Sequence, residues 1–174
     1  MIDELKLDCT VEQIQAKVAE YGPCIFSQAE LLPGAKRLIE HLEKHDIPMV
    51  ICTGSSEPSY DNKVKNKPEI LELFGKMQYI LKCGSSPDVK QGKPAPDAYL
   101  VAAQKFTGSS ANPKPENCLA FEDSPLGVDS AIDAGMQCVM VPDERLPEDY
   151  KKRATSVIYN LLDFKPEEYG LPAF

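Results

Sequence analysis

Short apolar runs alternate along this chain with stretches in which apolar residues recur at helical spacing. The runs MVIC (49–52), MQYIL (77–81), CLAF (118–121), QCVMV (137–141) and SVIY (156–159) are too short for helices and predict strands. Leu38, Leu42 and Ile39 make an apolar stripe among Lys, Arg and Glu, which predicts a helix over 34–45. Further helices are predicted at 67–74 and from Asp97 to about Phe106. Pro125 and Gly135 bracket another, in the places expected of a first-turn proline and a C-terminal glycine. Thr10-x-x-Gln13 has capping-box form and opens a helix over 11–20, which Gly22-Pro23 should end. The segments 83–96 and 107–116, rich in Gly, Ser, Asn and Pro, predict loops.

Apolar strands alternating with helices predict an α/β fold, a parallel sheet covered by helices on both faces. In such sheets ligands bind beyond the carboxyl ends of the strands, so the residues that follow each strand are the candidates for chemistry.

Composition narrows the function. At 174 residues the chain has room for one domain with a real core, and 43% hydrophobic with 26% charged residues is a globular balance. No apolar run is long enough to span a bilayer, and the start MIDELKLDCT lacks the positive and apolar parts of an export signal, so no membrane association is expected. A formal charge of −8 argues against nucleic acid as a partner, because phosphate-backbone binding needs a basic face. A small phosphorylated metabolite remains open, since one Lys and a metal ion can hold a single phosphate. The six cysteines are scattered without a C-x-x-C pair, and Cys52, Cys118 and Cys138 sit in or beside apolar runs. A reducing, cytoplasmic location is the expectation.

Three strand ends carry candidate chemistry. Thr53-Gly54-Ser55-Ser56 offers a hydroxyl and free N–H groups at a helix start, which can hold phosphate oxygens. Alone, a plain strand-to-helix turn accounts for it better. Gly92-Lys93-Pro94-Ala95-Pro96-Asp97 places a Lys on a constrained backbone before a helix, where a solvated surface Lys is the simpler account. Glu122-Asp123 gives adjacent carboxylates after CLAF; these suit Mg²⁺, and equally suit a helix N-terminus that favours acids.

The order hydroxyl, Lys, paired acids, each at a strand end, resembles motifs II, III and IV of the haloacid dehalogenase superfamily. The segments LLPGAKRLIEHL (31–42), SSPDVKQGKPAPDAYL (85–100), EDSPLGVDSAIDAGMQCVMVPD (122–143) and LLDFKPEEYGLPAF (161–174) are similar to the eukaryotic pseudouridine-5′-phosphatase group, a likeness running essentially from Met1 to Phe174. The resemblance implies a Rossmannoid core over 31–174 preceded by a remnant of a helical cap over 1–30. It implies Mg²⁺-dependent hydrolysis of a small phosphomonoester such as pseudouridine 5′-phosphate through an aspartyl-phosphate. Carried over by motif, Thr53 and the Gly54 amide bind phosphate, Lys93 neutralises charge on phosphate and nucleophile, and Glu122 and Asp123 anchor Mg²⁺, Asp123 being the firmer assignment.

One motif does not occur. The family's D-x-D-G-x-x-x-D segment, which supplies the nucleophile and the acid/base, has no counterpart here. Asp3 and Asp8 are the only early aspartates, and neither has the β-branched run or the following Asp and Gly. In the family that strand lies between those ending here at Thr53 and Phe121. Its absence predicts weak or no Mg²⁺ binding, little or no turnover, and two strand edges facing a gap. Such edges must pair directly, take up another segment or chain, or leave the protein partly unfolded, and marginal stability or self-association is the expectation. A non-catalytic product that binds a partner or competes with a longer form is the alternative function. Ser85-Ser86 replaces acidic residues usual in relatives and receives no role. His41 and His45 lack the zinc-protease pattern and read as structural. A receiver domain has its acids in the wrong order for this chain, and a nucleotide-binding dehydrogenase would need G-x-G-x-x-G.

Overall fold

Residues 8–174 are described by a computed structural model of the chain. Asp3 and the rest of 1–7 lie outside the described residues. The elements run α1 (Val11–Ser27), α2 (Ala35–Lys44), β1 (Val50–Thr53), α3 (Glu57–Val64), α4 (Pro68–Phe74), β2 (Tyr79–Lys82), α5 (Asp97–Ala103), β3 (Leu119–Glu122), α6 (Pro125–Asp133), β4 (Gln137–Met140) and β5 (Ser156–Val157), with short 3₁₀ turns between and after them.

The strands are parallel, but they form two sheets rather than one. β1 pairs with β2, Cys52 opposite Leu81, while β3, β4 and β5 form a separate set with Phe121 opposite Val139. In β1 the Met49 and Thr53 carbonyls accept from Gln78 and Cys83 on the β2 side, so by alternation Val50 and Cys52 turn their backbone groups away from β2. In β3 the Cys118 and Glu122 carbonyls accept from Gln137 and Val141, leaving Leu119 and Phe121 turned away from β4. Among the described residues β1 and β3 share no ladder, and each keeps an edge without a strand partner.

Period-two alternation decides what covers each face. Ala120, Cys138 and Met140 point to one side and pack with Tyr99, Val128 and Ala131 of α5 and α6. Phe121, Val139 and Val141 point to the other and pack with Leu38 and Leu42 of α2 and with Leu161 and Phe164 near the C-terminus. Two helices bridge the halves. Met49, which leads into β1, joins the α2 cluster together with Leu119 and Phe121 of β3. On the opposite face α5 sends Tyr99 and Ala103 to the β3–β4 side and Val101 and Ala102 to Leu81 and Val50.

Several boundaries differ from the sequence reading. The capping box forms, with Thr10 N–H donating to Gln13 Oε1 at 2.8 Å. However, α1 runs through Pro23 to Ser27 instead of ending at Gly22-Pro23. Helix α1 contacts α3, and at the proline turn Gly22 is buried with the Phe26 ring close by. Helix α3 was hidden because its apolar stripe is only Tyr60 and Val64, four residues apart in a polar segment. α5 ends at Ala103 rather than near Phe106, and β5 is two residues rather than four. The other strands fall within one or two residues of expectation.

The C-terminal segment folds back on α2. Arg37 donates to the Leu162 carbonyl at 2.9 Å and its guanidinium lies over the Phe174 ring. A His41 ring nitrogen contacts the Pro172 carbonyl at 2.8 Å, which occupies it in packing, as read from the sequence.

Candidate functional site

Three of the sequence-predicted residues meet where β1 and β3 end. Thr53 is the last residue of β1, and its hydroxyl oxygen accepts from the Ser55 N–H at 3.2 Å. That bond leaves the hydroxyl proton free to donate to a ligand. Gly54 follows, exposed, with open space where a side chain would stand. The turn is held from behind by Gly84, whose missing Cβ would lie 2.8 Å from the Ser56 nitrogen. Only glycine permits that approach.

Lys93 reaches across from the loop before α5. Its ammonium donates to the Cys52 carbonyl at 3.2 Å, capping an acceptor on the free edge of β1. It also pairs with Glu122 Oε1, and both side chains are largely buried, 14% and 8% exposed. The lysine therefore ties the end of β1 to the end of β3 where no ladder does. Two of its three protons have partners, and the third is available to an anion. The loop is anchored by Ser130 of α6, whose buried hydroxyl donates to the Ala95 carbonyl at 2.6 Å. Burial works against the ammonium form of Lys93, but the Glu122 carboxylate more than offsets it, and its pKa lies above the ordinary lysine value.

Glu122 has a second donor, the Tyr99 hydroxyl at 2.5 Å. Burial, then the Glu122 charge, push the Tyr99 hydroxyl far above its usual pKa, so it remains a donor at all working pH. Glu122 also lies against the first turn of α6, where a Cβ on Gly127 would overlap the Glu122 carboxylate. Asp123, next in the chain, is exposed and has no hydrogen-bond or ion-pair partner among the described residues.

These carboxylates do not amount to a Mg²⁺ centre. Among the described residues no three His, Cys, Asp or Glu side chains gather as a metal-binding group. Glu122 is engaged by Lys93 and Tyr99, which leaves the single carboxylate of Asp123. Mg²⁺ held by one carboxylate needs further oxygens from substrate and water.

The sequence did not reveal three neighbours. Tyr99 lay inside a helix stripe with no mark of its polar contact. Lys63, on the unforeseen α3, donates to Ser55 Oγ at 2.9 Å and so brings a second cation to the phosphate-type turn. Cys52 and Cys83 lie far apart in sequence, yet their Sγ atoms are 3.7 Å apart. Ser85 accepts from the Glu57 N–H at 2.9 Å and caps α3, a structural task. A surface cleft bounded by Lys36, Lys67 and Lys76 lies away from the strand ends and is lined equally by Glu30, Glu40 and Glu69, so no set of donors converges there.

A model of the haloacid dehalogenase-like hydrolases matches residues 2–135. A Drosophila melanogaster protein described as a probable pseudouridine-5′-phosphatase is 42% identical over 175 residues, covering 100% of this chain and 73% of the relative. The (DL)-glycerol-3-phosphatase 2 of Arabidopsis thaliana is 46% identical over 150 residues, 86% of this chain and 60% of the relative. A crystal structure of a HAD family hydrolase from Deinococcus radiodurans, with bound phosphate and sodium, superimposes with a TM-score of 0.73 over 97% of this chain and 80% of that one, at 19% identity.

Proposed function

Because the chain belongs to the haloacid dehalogenase-like hydrolases, we propose that its 174 residues carry the phosphate-holding half of a phosphomonoesterase site. One observation carries this reading: Lys93, buried and paired with Glu122, stands at the joint of the two strand ends with one proton unassigned. A surface lysine would be solvated, whereas this one is fixed on the carbonyl of Cys52, the residue before Thr53 and the open Gly54 turn.

On this reading Thr53 donates its hydroxyl proton and Gly54 its N–H to phosphate oxygens, and Lys93 meets the charge of the same group. Glu122 and Tyr99 hold Lys93 in place, and Asp123 offers a carboxylate to a hydrated Mg²⁺. When bound, that ion would supply charge neutralisation beside the phosphate. Residues 31–174 form the core and α1 belongs to the cap. The substrate class is a small phosphomonoester, pseudouridine 5′-phosphate or a polyol phosphate, in keeping with the named relatives.

Among the described residues none stands as an attacking aspartate beside Lys93, and the sequence has no D-x-D-G segment, so these 174 residues by themselves should bind phosphate without turning it over. The test is hydrolysis of an aryl phosphate with Mg²⁺. The expected rate is down by on the order of 10⁴-fold or more against a relative carrying the full motif set, as for other nucleophile deletions. Robust turnover abolished by Asp123→Ala would mean that a nucleophile lies within these residues. A non-catalytic binding role is the second reading, favoured by the free edges of β1 and β3.

A further inference from the structure

We propose that Cys52 and Cys83 are a hydroperoxide-reactive dithiol that closes to a disulfide at the mouth of the phosphate site. The geometry follows from the register. Cys52 lies opposite Leu81, and Cys83, two residues further on, returns to the same face of the ribbon. The Cys83 N–H donates to the Thr53 carbonyl at 2.8 Å, which keeps the chain beyond β2 against β1. Both side chains face α5 among Val50, Val89, Val101 and Ala102. Their Sγ atoms, 3.7 Å apart, are in van der Waals contact, and closing the bond draws the end of β1 and the chain beyond β2 together. Neither residue is fully buried.

The surroundings assign the roles. The hydrogen bond shared with Cys52, opposed by burial and helped by the Lys93 charge, lowers the Cys83 pKa to about 7. The same hydrogen bond, with burial, raises that of Cys52. Cys83 is thus the attacking thiolate and Cys52 the resolving thiol. The Cys83 thiolate attacks an oxygen of the hydroperoxide, the O–O bond breaks, and the leaving alkoxide or hydroxide takes a proton from water. Cys83 is then a sulfenic acid. The Cys52 sulfur attacks the Cys83 sulfur, the S–O bond breaks, and hydroxide leaves with the Cys52 proton as water. Two thiols and one hydroperoxide give one disulfide, one alcohol (or water) and one further water. The two electrons come from the sulfurs.

The Cys52 carbonyl is the acceptor that fixes Lys93 to β1, and Cys83 holds the Thr53 carbonyl. Drawing the two residues together therefore acts on both phosphate-holding groups. This consequence rests on the phosphate-site reading, whereas the disulfide itself does not.

The test uses the full chain in a Cys9→Ser/Cys24→Ser background, which removes the exposed Cys24 and the partly exposed Cys9. It is treated with hydrogen peroxide near equimolar and digested without reduction for mass spectrometry. The expected product is a Cys52–Cys83 linked peptide pair lighter by two hydrogens, absent after treatment with a reductant. With Cys52→Ser, Cys83 should stop as a sulfenic acid that a dimedone reagent traps. Oxidation of Cys118 or Cys138 ahead of this pair, or Cys83 left as a free thiol, would overturn the proposal. Should Cys52→Ser fail to fold, the linkage in the parent chain decides alone. Titration of reduced and oxidised chain with inorganic phosphate then separates the two claims. Binding by the reduced form that is lost on oxidation supports the coupling. Equal binding by both forms removes the coupling while leaving the phosphate site intact.

Discussion

Lys93 shows how one residue comes to serve both stability and binding. Its charge is buried because Glu122 and the Cys52 carbonyl receive it, and Glu122 is buried because Lys93 and Tyr99 answer it. Removing one partner leaves the other charge unanswered in a poorly solvated place. Lys93→Met should therefore lower stability by about 3–5 kcal/mol, and Lys93→Met/Glu122→Gln should recover most of it. Urea unfolding of the two variants checks this, and equal stabilities would show that the pair is not coupled. Gly127→Ala acts on the same pair from the other side, since its methyl would displace the Glu122 carboxylate. A loss of about 1–3 kcal/mol is expected from such overpacking. Cys83 gives a pH test. With a pKa lowered to about 7, its alkylation rate should rise through neutral pH and level off above it. A free cysteine has its midpoint near 8.5, and a midpoint there would contradict the contact with Cys52. At this scale Thr53, Lys93 and Glu122 stood out in the sequence only through their order at successive strand ends and the family resemblance that order carries, since each alone reads as well or better as a turn, a surface lysine or a helix N-terminus. The sequence could not disclose Tyr99, Lys63 or the Cys52–Cys83 contact, which exist only through tertiary proximity.

Among elements, the strands were legible because strands buried on both faces read as short continuous apolar runs, as Phe121, Val139 and Met140 show. Helix α3 was not, since two apolar residues in eight carry too little periodicity. The Gly22-Pro23 stop did not hold either, because α1 continues through Pro23 to Ser27, and a local breaker is only a weak prior on where a helix ends. The most consequential element is one held apart, the pair of free edges on β1 and β3. Among the described residues Val50, Leu119 and Phe121 present backbone groups without a ladder partner there, and open edges recruit strands. The chain should self-associate as its concentration rises, read by size-exclusion chromatography with light scattering. A clean monomer at all concentrations, with a sharp unfolding transition at high temperature, would mean that α2, α5 and Lys93 suffice to hold the halves.

The whole molecule is a divided α/β core joined by two helices and one buried ion pair, with α1 packed at one side. No helix among the described residues is long and apolar enough to cross a membrane. The charge of −8 sets an electrostatic background against anions, so any anion binding must come from local geometry, and that makes binding diagnostic of the site. The direct measurement is a titration of the ¹⁵N-labelled chain with inorganic phosphate, followed by ¹H–¹⁵N correlation spectra. Saturable shifts are expected at Thr53, Gly54, Ser55 and Lys93, and these should be lost in Thr53→Val, which removes the hydroxyl at nearly constant volume. Shifts confined to the Lys36–Lys67–Lys76 cleft, or none at all, would contradict a phosphate site at the joined ends of β1 and β3.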